Sequence, residues 1–227
     1  IAARELPEQV LADGAHFELS PMYHAVILED LLDLMNVARA YRAEPHDVLA
    51  SLPEIVGRMR TWLAAMTHPD GLPSFFNDSA FGIAPTRRAL EAYASRLGLG
   101  PLPVPGEGVH RLAASGYVRV NRGDAAAILD IAAIGPDYIP GHAHADTLSF
   151  ELSLGSERIV VNGGTSVYAP GRLREAQRST RAHSTVEVDG ENSSEVWASF
   201  RVARRALVRD VRIETRAGVA TISAAIS

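Results

Sequence analysis

The sequence contains no cysteine and no lysine. The first absence removes disulfides, thiolate metal sites and cysteine nucleophiles together. It is compatible with an oxidising compartment without establishing one. The second absence makes all 22 basic residues arginine, so every cationic side chain can present a planar fork to a carboxylate or sulfate. Basic charge is also short overall: 22 basic against 27 acidic residues leave a net −5, a poor basis for general nucleic-acid binding. No apolar run reaches the roughly 18 residues that a membrane helix requires. The chain lacks an initiating methionine and a leader-like start, and it stops at "GVATISAAIS", which reads as an unfinished strand. The expectation is a segment of a longer protein. The composition itself is that of a folded globular chain, 47% hydrophobic and 22% charged.

Residues 1–97 read as helical. Between Met22 and Tyr41, Ile27, Leu31, Leu34, Met35, Ala38 and Tyr41 recur at spacings of three and four, one face of an amphipathic helix. A second helix is expected from Pro53 to Thr67, with Ser51 as its cap and Pro53 in its first turn, and "HPDG" at 68–71 ending it. A third covers about Thr86–Leu97, between Pro85 and Gly98. Residues 98–108, "GLGPLPVPGEG", are too rich in glycine and proline for helix or central strand and read as a linker. From 109 to 227 the period changes to two. "GYVRV", a turn at "NRGD" and "AAAILDI" read as a hairpin. "TLSFELSL" puts Leu148, Phe150, Leu152 and Leu154 on one face and Ser149, Glu151 and Ser153 on the other, the pattern of a half-buried strand with its apolar side inward. "STVEVDG" and "ASFRVARRALVRDVRIE" are expected to add further strands.

The densest chemistry lies in "GHAHAD" at 141–146. If that segment is extended, His142 and His144 share a face about 7 Å apart. A single histidine there would be an ordinary polar residue at a strand mouth; a pair suits a metal ligand beside a general base. His183 precedes another expected strand, and His46 and His68, each beside a proline, read as surface loop residues. "GRLREAQRSTR" packs Arg172, Arg174, Arg178 and Arg181 together, either an anion site or a solvated loop. "DGAHFELSPMYHAVILEDLL" carries His16, Glu18 and adjacent Tyr23 and His24; by residue type alone, Tyr23 reads as a packing tyrosine.

Taken in order, "DGAHFELSPMYHAVILEDLLDL", "HPDGLPSFFNDSAFGIAP", "GHAHADTLSFEL", "VNGGTSVY" and "RSTRAHSTVEVDGENSSEVWASF" resemble the heparinase II/III-like polysaccharide lyases, which include alginate lyase relatives. The resemblance implies an α+β multidomain fold: helical hairpins of an incomplete α/α toroid over 1–97, then an antiparallel β-sandwich over 109–227. It implies β-elimination on an anionic, uronic-acid-containing polysaccharide, with Tyr23 and His142 catalytic. It places His16, Glu18, Tyr168 and Arg178 as substrate-binding residues. The family's metal, usually zinc, would fall to His144, Asn162 and His183. Asn162 stands where the family has aspartate, so zinc should be held more weakly. The family's Asn-His element, which neutralises the uronate carboxylate, is absent from this chain, and low activity is expected from it alone. A polymer substrate implies a periplasmic or cell-envelope location. Two alternatives compete. A cupin-like metal enzyme also carries His-x-His but wants a glutamate four or five residues on, where Leu148 and Ser149 stand. A non-catalytic glycan-binding envelope protein would explain Asn162 but not the retention of Tyr23 with His142.

Overall fold

The structure is a computed structural model that describes residues 2–42, 47–216 and 218–227. The expectation for His46 lies outside those residues. Four helices come first: α1 (Ala2–Gln9), α2 (Pro21–Ala40), α3 (Asp47–Ala65) and α4 (Arg87–Arg96). Their core joins Ala25, Leu28 and Leu32 of α2, Leu52, Val56, Met59 and Leu63 of α3, and Leu90 and Ala94 of α4. The stripe on α2 is rotated from the expected one: Leu34 is at the surface and Tyr41 is 83% exposed. The face through Ala25, Leu28 and Leu32 is the one that meets α3. Nor does α3 begin at Pro53. Pro53 lies inside it, and the Ser51 hydroxyl donates to Val48 O at 2.9 Å instead of capping. An internal proline forfeits a helix hydrogen bond; buried Leu52 and Val56 hold the segment helical around it.

Residues 99–106 have no regular structure. Five strands follow in one antiparallel sheet, in sequence order: β1 (Gly108–Leu112), β2 (Tyr117–Arg122), β3 (Ala125–Asp130), β4 (Phe150–Leu154) and β5 (Glu157–Val160). The expected hairpin is β2–β3. After β5 come α5 (Arg172–Arg178), a 3-10 turn (Thr180–Ala182), the short pair β6 (Val196–Trp197) and β7 (Arg201–Val202), and the hairpin β8 (Val208–Arg216) and β9 (Val219–Ile226). "STVEVDG" is not a strand; only Val188 and Glu191 bridge there.

The sheet contradicts the simplest reading of β4. Its polar side, Ser149, Glu151 and Ser153, is fully buried, whereas Phe150 and Leu154 are 39% and 45% exposed. The polar side faces the helical body, where partners await it. His68, expected at the surface, is buried there; its Nδ1 lies 2.7 Å from Ser153 Oγ and its Nε2 2.8 Å from Glu151 Oε2. The other oxygen of Glu151 accepts from the N–H groups of Phe75 and Asn162. Beside this network, Trp62, Met66 and Phe76 pack against Tyr117 and Ile128, so an apolar cluster also joins the helices to the sheet. The sheet's apolar side faces the β8–β9 hairpin, with Leu129 and Leu148 opposite Ile222.

Candidate active site at the helix–sheet junction

The loop before α2 positions the first catalytic candidate. Ser20 caps α2: its hydroxyl oxygen accepts from the Tyr23 N–H at 3.2 Å and its O–H donates to Asp78 O at 2.5 Å. Pro21 occupies the first helical position, where no amide hydrogen is missed. Tyr23 therefore projects from the first turn. His142 comes from the other half of the chain, and its ring stacks on Tyr23 with centroids 3.9 Å apart and planes within 12°. Its Nδ1–H donates to Glu18 Oε2 at 2.9 Å, which leaves Nε2 without a protein partner among the described residues. The Tyr23 and Tyr168 hydroxyls are 3.0 Å apart. Burial, then the bond to Tyr23, pushes the Tyr168 pKa up, so Tyr168 stays protonated and can donate to the Tyr23 oxygen whenever Tyr23 gives up its own proton. Phe200 stacks behind Tyr168.

Two of the expected substrate contacts prove to be something else. His16 is 3% exposed and stands behind Glu18, with its Nδ1 3.8 Å from Glu18 Oε2. Burial pushes its pKa down to about 4, and it is neutral at physiological pH. Its backbone N–H donates to His24 Nδ1 at 3.1 Å, and the His24 Nε2–H donates to Met59 O at 2.9 Å, so His16 and His24 brace the loop. Arg178 is fully buried. Its guanidinium donates to the carbonyls of Ala143, Trp197, Ala198 and Arg201, which fixes the loop carrying His142 and His144 but offers nothing to a ligand. The expected arginine cluster dissolves in the same way: Arg174 is buried against Asp78, and Arg181 pairs with Glu187.

His142 and His144 do not share a strand face. They lie in an irregular loop before β4, and His144 turns into the interior. Its Nε2–H donates to Asp78 Oδ1 at 2.8 Å, and the His183 Nδ1–H donates to Ser179 O at 2.7 Å. With those protons placed, His144 Nδ1 and His183 Nε2 confront each other at 3.0 Å as two lone pairs. Two nitrogens on one tetrahedral zinc, each bonded at roughly 2.0–2.1 Å, stand about 3.3 Å apart. The pair thus fits two metal ligands. Asn162 is close by in the chain of contacts: its Oδ1 accepts from the N–H of Ser184, next to His183, at 2.9 Å. That oxygen keeps a second lone pair but no charge. Among the described residues no group of three histidine or carboxylate side chains forms a metal site.

Asp78, which sequence reasoning passed over, is the centre of the assembly. Its carboxylate accepts from His144, from Thr165 Oγ1 at 2.7 Å and from both terminal nitrogens of Arg174. Burial opposes its charge, but the hydrogen bonds from His144 and Arg174 outweigh burial and hold its pKa down at about 2. Next to it, Asn77 (φ +58°) accepts from the His144 N–H at 3.1 Å and donates through its amide to Leu19 O (residue φ +60°) at 3.1 Å. Two non-glycine residues in the left-handed region around one site is the pattern of backbone strain stored at functional sites. The only sequence signal was a polar Asn-Asp pair after two phenylalanines. Gly164 is required here as well: at φ +62°, a Cβ on it would lie 2.6 Å from Ser79 O.

Two family models match the chain: "Heparinase II/III N-terminus" over residues 1–96 and "Heparinase II/III-like, C-terminal" over residues 104–226. A curated heparin-sulfate lyase of Pedobacter heparinus is 28% identical over 209 residues, 83% of this chain and 31% of that protein. The fold is similar to a crystal structure of a mutant heparan sulfate lyase HepC from Pedobacter heparinus, at TM-score 0.71 and 22% identity over 98% of this chain and 36% of that one. It is also similar to a crystal structure of heparinase III, at TM-score 0.69 and 18% identity over 93% of this chain and 36% of that one. The chain spans about a third of the length of these relatives.

Proposed function

The chain belongs to the heparinase II/III-like family, and from that premise we propose that it carries the catalytic face of a polysaccharide lyase acting by β-elimination on an anionic, uronic-acid-containing polysaccharide of the glycosaminoglycan class. The observation that carries this reading is the stacked Tyr23–His142 pair, one partner from each half of the chain. In the reaction the C–H bond beside the uronate carboxylate breaks and its proton passes to a base. The electron pair forms the new carbon–carbon double bond, and the glycosidic C–O bond on the adjacent carbon breaks as its oxygen takes up a proton. The chemistry therefore needs one proton acceptor and one donor close together. Glu18 holds His142 in the tautomer with Nε2 free as an acceptor. Tyr23 carries an exchangeable proton, and the Tyr168 hydroxyl supports the Tyr23 oxygen whenever that proton leaves. Stacked rings reach the same side of a sugar, which suits an elimination in which proton and leaving group depart from one face.

Zinc, where bound, would be held by His144 and His183 with Asn162 as a neutral third donor, and would tie the 141–149, 161–165 and 179–184 loops together. No proton transfer described above depends on it. A periplasmic or cell-envelope setting follows from a polymer substrate. No helix among the described residues is long and apolar enough to cross a membrane. The cupin-like reading fails on topology, since its two histidines belong on a strand and these do not.

The test is the ultraviolet absorbance of an unsaturated product from heparan sulfate, with alginate and a neutral polymer as comparisons. The expected result is weak absorbance with the glycosaminoglycan from this chain alone, since it lacks the Asn-His element that neutralises the uronate, and loss of even that in Tyr23→Phe and in His142→Ala. Binding of the polymer with no new absorbance would instead favour the non-catalytic glycan-binding reading.

A further inference from the structure

A cavity of about 500 Å³ opens where the C-terminal end of α3, the first residue of α4, the 104–107 segment and the β2–β3 hairpin meet. None of the residues lining it belongs to the Tyr23–His142 site. Two arginines line it. Arg119, on β2, is 7% exposed and has only neutral partners: Nε donates to Asn121 Oδ1 at 2.8 Å, and one terminal nitrogen donates to Ala65 O at 2.9 Å and Thr67 O at 2.6 Å. The first of those carbonyls ends α3, so part of the Arg119 charge answers the helix terminus. Its other terminal nitrogen has no acceptor among the described residues. Arg87, the first residue of α4, forms no hydrogen bond or ion pair among them. The acids in the wall do not neutralise the arginines: Glu107 is exposed and spends its carboxylate on the Gly123 N–H, and Asp124 is exposed.

We propose that this cavity is a second ligand site, in which Arg87 and Arg119 grip the carboxylate or sulfate of an acidic sugar. A nearly buried cation without a counter-charge is costly, and a guanidinium matches a planar or tetrahedral oxyanion through paired N–H groups. Burial and then the charge of Arg87 lower the Arg119 pKa, and an anion between the two cations would offset both effects. The volume falls within the roughly 300–1,000 Å³ of small-molecule sites. That the oxyanion is borne by a sugar rests on the lyase reading; that an oxyanion binds does not.

The test uses three probes, inorganic sulfate, glucuronate and a sulfated glycosaminoglycan disaccharide, titrated by calorimetry with arginine side-chain N–H signals followed by NMR. The disaccharide should bind and shift the Arg119 signals. Arg87→Glu should weaken the binding that the Arg119 signals report about 10- to 100-fold, the scale of a lost charge-assisted hydrogen bond, while Arg87→Lys retains most of that affinity. Unchanged affinity at the Arg119 signals in Arg87→Glu, or disaccharide binding that leaves the Arg119 signals unmoved, overturns the proposal. Binding of sulfate but of neither sugar probe overturns the saccharide assignment. Lyase assays on the same variants keep the readings apart: a protein without lyase activity whose disaccharide binding still depends on Arg87 would remove the function proposed above and leave this site standing.

Discussion

Replacing Asp78 with asparagine takes away the one carboxylate on which the fully buried Arg174 depends. Four donors converge on Asp78, from His144, Thr165 and both terminal nitrogens of Arg174, and neither Asp78 nor Arg174 has any exposed side chain. Breaking a buried pair by removing one partner costs about 3–5 kcal/mol, because the other charge is left without compensation. At roughly 2–4 °C per kcal/mol for a chain of this size, the thermal midpoint of Asp78→Asn should fall by about 6–20 °C. A pKa held at about 2 against an ordinary value near 3.8 corresponds to a contribution on the order of 2 kcal/mol. The sign follows from the direction of the shift: the folded pKa is depressed, so this stability is fully present above about pH 4 and is lost as pH falls towards 2.

Urea denaturation of wild type and Asp78→Asn at pH 7, repeated between pH 4 and 2.5, reads both effects. The gap between the two should narrow as the pH falls. Arg174→Met combined with Asp78→Asn should recover much of the loss, since no buried charge then stands alone. A loss below about 1 kcal/mol, or a double variant whose loss equals the sum of the singles, would refute the reasoning. The same substitution should weaken metal binding about 10- to 100-fold, because the Asp78 contact is what turns the lone pair of His144 towards His183.

Glu18→Gln should lower kcat with KM nearly unchanged, forfeiting part of the roughly 100- to 10,000-fold that a positioned acid or base contributes; a raised KM with kcat retained would make Glu18 a substrate contact. Asn162→Asp should tighten zinc about tenfold or more in equilibrium dialysis, and an unchanged affinity would take residue 162 out of the ligand set. His24 has a folded pKa pushed down to about 3 by burial, so the unfolded chain binds the proton more readily and stability should fall as pH drops below about 6.5, by about 2 kcal/mol at pH 5. Buried His16, held at about 4, adds a dependence of the same sign, so His24→Gln should reduce the slope of urea midpoints between pH 7 and 5 by about half; an unaltered slope would show that His24 is not a source of it.

Period and punctuation carried most of the fold. Three- and four-residue spacing located α2, Pro85 and Gly98 bracketed α4, and the turn at "NRGD" located the β2–β3 hairpin, with Gly123 at positive φ. Alternation failed where a strand has something other than water on its polar side. In β4 the rule that apolar residues point inward gives the wrong face, because Ser149, Glu151 and Ser153 meet His68 and the helical body, whereas on the other side only Leu148 lies against the β8–β9 hairpin and Phe150 and Leu154 stay exposed. A sheet enclosed between two layers has two interiors, and one of them can be polar if every group in it finds a partner. The sequence of β4 alone cannot announce this, since the partner, His68, lies 83 residues away.

The same reasoning decides which charges can act on a substrate. Tyr23 and His142 could be picked out because each lies in a motif, and geometry then joined them. Arg174 and Arg178 looked like anion binders because they are clustered and cationic, yet both are buried, the first on Asp78 and the second on backbone carbonyls. Their role is to hold the loops on which the chemistry stands: Arg178 clamps the carbonyl of Ala143, between the two histidines, and Arg174 neutralises the acceptor that orients His144. Neither is free to neutralise a uronate carboxylate as negative charge develops in the transition state. That role calls for a donor aimed directly at the carboxylate, typically worth about 100- to 1,000-fold in rate. A cation committed to the scaffold cannot perform it without releasing the loop that positions His142.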